Sequence, residues 1–206
     1  MKWMLGLAVL SVCATLSGGY VLAVEEAAFR SVLKDGVYEL RDYPALVVAE
    51  TLVRGGQKEA AGQGFRRLAG YIFGGNRSRA KIAMTAPVAQ RPTSEKIAMT
   101  APVGQTPIGE GWVVRFTMPS GYTLATLPEP VDPNVRLRET PPARYAVVRF
   151  SGLAHPDDVA RQTAWLSTWI AQRKLTPTGP ATLAQYNPPW TLWFLRRNEV
   201  MTPVAP

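Results

Sequence analysis

The sequence predicts an α+β domain in which two halves of the β-α-β-β type share one antiparallel sheet. Several stretches alternate apolar and polar residues with a period of two, as half-buried strands do. Two other stretches carry apolar residues at helical spacing. The order of these elements then occurs twice, over about residues 36–119 and 134–204, which suggests a pseudo-twofold internal repeat. Chance similarity between short apolar strands is the alternative explanation of this echo.

The first half is predicted to begin with one bent strand or two short ones, to continue with a helix, and to contain further strands after it. The helix is indicated by Ala61, Phe65, Leu68 and Ile72, which recur at helical spacing before the stop signal Gly74-Gly75-Asn76. The strands are rich in β-branched and aromatic residues. In chain order, the predicted elements are strand 37–43, strand 45–53, helix 57–73 and strand 112–118.

An octapeptide, KIAMTAPV, occurs twice, at Lys81–Val88 and at Lys96–Val103. Its alternation places Ile82, Met84, Ala86 and Val88 on one face, and the second copy repeats that face with Ile97, Met99, Ala101 and Val103. A polar loop connects the two copies. We therefore predict two neighbouring antiparallel strands that pack on one core, with the proline of each copy near a strand end.

The second half is predicted to follow the same order. Its helix begins at His155-Pro156, has Asp157 and Asp158 in its first turn, and ends near Arg173-Lys174, which suits the helix dipole. The predicted strands are 135–143, 145–150, 181–186 and 191–196, and residues 198–204 read as a shortened third version of residues 95–103.

Composition restricts the classes of function. The chain has 206 residues, 47% of them hydrophobic, which is enough for one well-buried domain. Its net charge of +8 suits nucleic acid, an anionic membrane face or an acidic small molecule. Because no run of Lys and Arg exceeds two residues, we expect no nucleic-acid partner.

Residues 1–23 are predicted to be an export segment. The run from Trp3 to Val24 carries no charge and has the small residue Ala23 near its end, which is typical of a cleaved signal peptide. The run is also long enough for an uncleaved anchor, so membrane association through residues 3–23 stays open. A lipoprotein signal fits less well, because bulky Val12 precedes Cys13. We expect a periplasmic or cell-envelope protein with one domain, residues 24–206.

Cysteine and histidine usage argues against catalysis. Cys13, in the export segment, is the only cysteine, and His155 is the only histidine. The mature domain therefore has no disulfide and no thiol nucleophile, and no pattern indicates a catalytic triad, a zinc site or a pair of glycosidase carboxylates. We expect the protein not to be an enzyme.

Several blocks resemble the SOUL haem-binding protein family. The doubled octapeptide carries the resemblance most specifically. The other blocks, in family order, are 38–43, Gly64-Phe65 with Leu68 and Tyr71-Ile72, 116–119, 149–152, 186–189 and 196–200. The resemblance implies a twisted antiparallel sheet or distorted barrel with two helices, related to bacterial effector-binding domains. It also implies non-covalent binding of haem or other tetrapyrroles without catalysis.

A tetrapyrrole needs an apolar slot and cations for its propionates. For the slot we propose Phe65, Leu68, Tyr71, Met84 and Met99, although strand and helix spacing explains the same residues as core. For the cations the candidates are Arg66, Arg67, Arg77, Arg79 and Lys81, each of which also suits a solvated basic loop.

The axial position is the least determined part of the predicted site. His155 is a weak candidate, because its setting is that of a helix-entry loop. Tyr43, Tyr71 or a methionine can also ligate iron. We expect binding without histidine ligation by an exported carrier or buffer. The alternative is a binder of hydrophobic or acidic small molecules, or a protein-interaction module, that does not bind haem.

Overall fold

The computed structural model describes residues 24–78, 94–188 and 190–206. The predicted export segment, residues 1–23, and the first copy of the octapeptide lie outside the described residues. The helices are α1, Gln57–Ile72, and α2, Pro156–Gln172, and a 3₁₀ turn spans Trp193–Leu195. The strands are β1 Glu25–Glu26, β2 Arg30–Asp35, β3 Tyr38–Tyr43, β4 Leu46–Arg54, β5 Asn76–Arg77, β6 Thr100–Ala101, β7 Val103–Ile108, β8 Gly111–Thr117, β9 Glu129–Pro130, β10 Arg136–Thr140, β11 Ala143–Phe150, β12 Thr182–Gln185 and β13 Asn198–Val204.

Nine of these strands form one antiparallel sheet in the order β10-β4-β8-β7-β12-β13-β11-β3-β2. The sheet is open, with β10 and β2 at its edges, so the protein has the predicted α+β architecture without closure into a barrel. Two short strand pairs, β1 with β6 and β5 with β9, lie outside it.

The order of the strands is the same on both sides of the sheet centre. From the β7/β12 boundary outward, the strands are β7, β8, β4, β10 on one side and β12, β13, β11, β3 on the other. The first strand of each half, β3 or β10, pairs with the second strand of the other half, β11 or β4. The two halves are therefore interlocked. The internal sequence repeat itself stays a prediction.

Both helices cover the same face of the sheet. On α1, Leu68, Tyr71 and Ile72 pack against Val114 and Phe116 of β8. The α2 core is formed in the same way by Leu166, Trp169 and Ile170 with residues of β11 and β13. A smaller cluster, Tyr43, Val147, Ala184 and Met201, lies on the other face. All three clusters form within residues 24–206. In the described part of the chain, neither helix has the length and apolarity needed to cross a membrane.

The second copy of the octapeptide is not the continuous strand that its alternation predicts. Residues 94–99 have no strand structure, and only Thr100–Ala101 and then Val103 enter strands. Ile97 is buried as predicted, but its backbone N–H donates to Ile72 O at 2.8 Å, at the end of α1. The Asn76 side chain also bonds the backbone of Glu95. These contacts with the end of the helix hold the segment outside the sheet.

The predicted strand over 191–196 is also wrong. The segment forms local turns instead, with Thr191 N–H bonded to Pro188 O and Leu195 N–H bonded to Leu192 O. Leu192, Trp193, Phe194 and Leu195 are all exposed. Apolar composition without period-two alternation does not distinguish a strand from such a loop.

Gly64 allows α1 to approach the sheet, and its replacement is expected to destabilise the fold. A Cβ at this position would lie 2.5 Å from Val114 Cβ, whereas a Cβ at Gly70 of the same helix meets nothing within 4 Å. We expect Gly64→Ala to lower the free energy of unfolding by about 1–3 kcal/mol, as overpacking does. We expect Gly70→Ala to raise it by about 0.5–1 kcal/mol, because glycine is unfavourable inside a helix. Urea unfolding measures both, and equal effects at the two positions would contradict this packing.

Candidate functional site

A groove lies on the helix-free face of the sheet, where the two halves meet. It is an open groove rather than an enclosed cavity, and the space of about 740 Å³ among its lining residues includes open solvent. The two central strands contribute only small residues to its floor, because Gly104 of β7 is aligned with Ala184 of β12. Tyr43, Tyr145 and Met201 line it as well. The junction of the halves therefore presents an apolar surface to a ligand.

Strand alternation explains which residues reach this groove. On β4, Ala49 packs with α1, whereas Leu46 and Val48 line the groove. On β13, Val200 packs with α2, whereas Met201 lines the groove. Successive side chains of a strand point to opposite faces, so the position of the helices decides which set stays accessible.

One side of the groove is cationic. Arg115 lines it and donates to Glu50 Oε2 from Nη2 at 2.9 Å, while Arg138 Nε donates to Glu50 Oε1 at 2.9 Å. Burial alone would raise the pKa of Glu50, but the hydrogen bonds from Arg138 and Arg115 outweigh it and lower that pKa. Two guanidinium groups therefore share one carboxylate, which leaves a net positive charge beside the apolar floor.

A buried ionic network lies beside the groove, on the same face. Arg41 of β3 donates from Nη1 to Glu199 Oε2 at 2.7 Å and from Nη2 to Oε1 at 3.1 Å. Tyr186 Oη donates to Glu199 Oε2 at 2.6 Å, and Arg197 Nε donates to Oε1 at 3.0 Å. Both oxygens of Glu199, a side chain with 0% exposure, thus accept two hydrogen bonds each. The arginines neutralise the carboxylate.

The pKa values in this network follow from that arrangement. Burial alone would raise the pKa of Glu199, but hydrogen bonds from Arg41 and Tyr186 outweigh it and hold the pKa below its ordinary value. Burial, together with the charge of Glu199, raises the pKa of the Tyr186 phenol. The carboxylate is therefore charged and the phenol neutral at neutral pH.

The first described residues form part of the groove wall. Ala27 lines the groove, and the ring of Phe29 packs 5.3 Å from that of Tyr43 and 4.3 Å from the Arg41 guanidinium carbon. Arg197 Nη1 pairs with Glu26 Oε2 at 3.0 Å. The chain that directly follows residue 24 thus lies across the open face of the sheet and covers the ionic network.

The apolar residues predicted from sequence lie on the other face of the sheet. Leu68 and Tyr71 are core residues with 0% and 2% exposure, and Met99 packs against the same cluster. Phe65 is partly exposed and packs edge-on against Phe116. Met84 lies outside the described residues. The described members come together as the core under α1, and they do not line the groove.

The predicted cations are dispersed. Arg66 is exposed on α1, Arg67 bonds the backbone of Leu52, and Arg77 is exposed on β5. None of these three lines the groove. Arg79 and Lys81 lie outside the described residues.

His155 also lies away from the groove, at the residue that precedes α2. It borders a surface cleft with Leu153, Arg161 and Trp193, and a second one with Lys58. Within the described ranges, no group of three His, Cys, Asp or Glu side chains is placed to hold a metal ion.

Sequence reasoning missed the polar residues of this face, although their strands were recognised. Arg41 and Glu199 lie in blocks that carry the family resemblance, and Arg115 interrupts the apolar run of β8. A charged residue inside an otherwise apolar strand was the available signal, because such a residue needs a partner when the sheet is buried.

Comparisons with known proteins agree with this architecture. The C-terminal domain of EcmrR is similar at 12% identity with a TM-score of 0.52, over 86% of this chain and 98% of that one. A structure described as a hydrolase from Listeria innocua is similar at 12% identity with a TM-score of 0.55, over 84% and 94% of the two chains. Identities this low show the fold alone, which is that of the effector-binding domains. No curated protein matches the sequence.

The family is shown by the sequence itself. Residues 24–203 match the family described as SOUL heme-binding protein. The chain therefore belongs to the SOUL haem-binding protein family.

Removal of the Glu199 charge is expected to destabilise the protein strongly. Glu199→Gln removes the carboxylate that Arg41 and Arg197 share and leaves buried Arg41 with Glu39 alone, so we expect a loss near the lower end of the about 3–5 kcal/mol that breaking a buried pair costs. The control is Asp158→Asn, which breaks the more exposed pair with Arg161 and should cost less than about 1 kcal/mol. Chemical denaturation at neutral pH measures both, and equal losses would show that the buried pair has no special weight.

The same variant gives a pH dependence. Because the folded pKa of Glu199 lies below the ordinary value of 4.5, its contribution is fully present above that pH and is lost as pH falls through the folded pKa. The difference in stability between the natural protein and Glu199→Gln should therefore shrink on acidification. A difference that grows at acidic pH would contradict the depressed pKa.

Proposed function

We propose that this protein binds haem or a related tetrapyrrole in the groove, without covalent attachment, catalysis or histidine ligation. The observation that carries the proposal is an apolar groove at the junction of the two halves with Arg115 at its side. Membership of the SOUL family supports a tetrapyrrole as the ligand class. The uncharged run before residue 25 supports an exported carrier or buffer.

The apolar side of the groove suits a flat ligand. Tyr43 and Tyr145 pack edge to face, with ring centroids 5.7 Å apart, and Met201 adds a flexible thioether beside them. The central strands carry the small residues Gly104 and Ala184 here, and Ala184 is itself buried. We expect a macrocycle to place one of its faces on the open side of this groove.

The charges favour an acidic ligand. Arg115 has further N–H donors beyond those it directs at Glu50, and Arg138 shares that carboxylate. A propionate can therefore bind Arg115 while Arg138 retains Glu50. The network beside the groove adds no positive charge for such a ligand, because Arg41 and Arg197 pair with Glu39 and Glu26 as well as with Glu199.

The groove residues also fit the iron of haem without histidine. Bound haem supplies an iron centre that accepts axial ligands such as a phenolate or thioether. Tyr43, Tyr145 and Met201 are the groove residues of those types. Arg41 donates to Tyr43 Oη at 3.4 Å, which leaves Tyr145 and Met201 as the donors outside the ionic network.

A haemin titration followed by absorbance tests this proposal on residues 24–206. We expect saturable binding at one site that Arg115→Gln weakens by about tenfold to a hundredfold, the equivalent of one charge-assisted hydrogen bond. Arg66→Gln is the matched control, because Arg66 is an exposed arginine on the opposite face and was itself a predicted ligand residue. Circular dichroism checks that each variant is folded.

The other outcomes identify a different site or function. Loss only with Arg66→Gln would return the site to α1, and loss only with a further variant, His155→Ala, would place it in one of the two clefts that His155 borders. Partition of haemin without saturation, together with broad binding of uncharged apolar probes, would favour the alternative of a general small-molecule binder.

A further inference from the structure

Gly104 of β7 is a glycine inside the sheet, on the floor of the groove. It is aligned with Arg115 of β8 on one side and with Ala184 of β12 on the other. Glycine weakens a strand, because it loses more backbone freedom on folding than other residues and has no side chain to pack. A glycine inside a strand therefore marks a bulge, a special backbone conformation, or a point where another group approaches the backbone closely.

The fold itself does not require glycine at position 104. Its φ lies outside the left-handed region, and the strand register passes through it without a bulge on either side. A Cβ added there would lie 3.5 Å from Thr182 Cγ2 and 3.9 Å from Arg115 Cβ, which are ordinary contact distances. Gly111 of β8 differs, because its added Cβ would lie 2.8 Å from Val53 O. The remaining explanation for Gly104 is the close approach of a ligand in the groove.

Arg115, on one side of Gly104, has hydrogen-bond donors to spare. Its Nε and Nη2 both donate to Glu50 Oε2, at 3.2 and 2.9 Å. A guanidinium has five N–H donors, and those of Nη1 have no partner in the part of the chain that the structure describes. Arg115 can therefore bind a second carboxylate without releasing Glu50.

A pair of hydroxyl groups lies beside Gly104 at the boundary between β7 and β12. Thr106 Oγ1 and Thr182 Oγ1 are 2.6 Å apart, either one can donate to the other, and both residues line the groove. Whichever hydroxyl donates, the proton of the other is left for a third group. Neither side chain forms another hydrogen bond within the described ranges. Gly104 therefore lies between N–H donors on one side and an O–H donor on the other.

We infer that the ligand of the groove lies closest to the backbone at Gly104, with one carboxylate held between Arg115 and the hydroxyl pair of Thr106 and Thr182. The inference rests on the proposed function and narrows the ligand class to a flat apolar acid with a carboxylate at its edge, as in a haem propionate. The arginine supplies charge-assisted hydrogen bonds and the hydroxyl pair supplies one more donor. A side chain at position 104 would occupy the space that this carboxylate needs.

Replacement of Gly104 tests the approach to the backbone, with the haemin titration and urea unfolding applied to the same variants. We expect Gly104→Ala to weaken haemin binding by about threefold to tenfold and Gly104→Val by about tenfold to a hundredfold, as overpacking does. The urea midpoint of Gly104→Ala should stay unchanged or rise, because alanine loses less backbone freedom in a strand. A role in folding alone would lower the midpoint and the affinity together.

Gly70→Ala is the matched control for this measurement. Its added Cβ on α1 meets nothing within 4 Å, so the midpoint should rise while haemin affinity stays that of the natural protein. Two results would overturn the inference: an affinity of Gly104→Val equal to that of the natural protein, or a lower midpoint of Gly104→Ala, which would show that the fold requires the glycine.

Replacement of the hydroxyl pair tests the position of the carboxylate. Thr106→Val with Thr182→Val removes both partners of one hydrogen bond and keeps their shape, so stability should change little. We expect this double variant to weaken binding of haemin by about threefold to tenfold, the equivalent of one hydrogen bond to a charged group, and to leave binding of haemin dimethyl ester unchanged. Thr163→Val with Thr168→Val, which removes two hydroxyls of α2 on the opposite face, should change neither.

The outcomes separate this inference from the proposed function. Saturable haemin binding that Arg115→Gln weakens, but that the Gly104 and threonine variants leave unchanged, would overturn the inference and retain the function. Equal weakening of haemin and its dimethyl ester by the threonine variant would show that the hydroxyls do not contact the carboxylate. Haemin that does not saturate the natural protein would overturn both.

Discussion

The buried pair of Arg41 and Glu199 holds the open face of the sheet together. Arg41 comes from the first half and Glu199 from the last strand of the second, 158 residues later, and β11 lies between their strands. Removal of two charges from water costs several kcal/mol unless hydrogen bonds replace the lost hydration. Tyr186 and Arg197 supply those bonds, and Phe29 covers the guanidinium. The network therefore forms only when both halves and the first described residues are in place.

The interlocked strands give the groove its position. Since β3 and β10 each pair with the opposite half, the two halves cannot separate to admit a ligand without breaking sheet hydrogen bonds. The groove lies instead on the helix-free face, where the central strands carry the small residues Gly104 and Ala184. Arg115 and Glu50 supply the polar side of that space, so one face of the sheet carries both the network and the candidate site.

Local sequence patterns predicted most of the elements but not which side chains the helices cover. Alternation and β-propensity were sufficient to predict β3, β4, β8 and β11, because successive residues of each strand lie on opposite faces of the sheet. In β4, however, the run Leu46–Ala49 is apolar throughout, as in a strand buried on both faces, so periodicity cannot show which residues the helix covers. The sequence prediction assigned Leu68, Tyr71 and Met99 to a ligand slot, whereas in the structure they pack in the core under α1. The strand predicted over 191–196 was wrong for a similar reason, because the apolar residues of this segment do not alternate with polar ones.

The sequence by itself determined the family, the two helices, most of the strands and the rarity of cysteine and histidine. These properties are local or compositional, so no distant contact is needed to read them. Tertiary structure decided which face the helices cover, the partners of Arg41, Glu199 and Arg115, and the exposure of the loop before β13. Each of these depends on residues far apart in the chain that meet only after the strands of the two halves exchange, and no short-range pattern encodes such meetings.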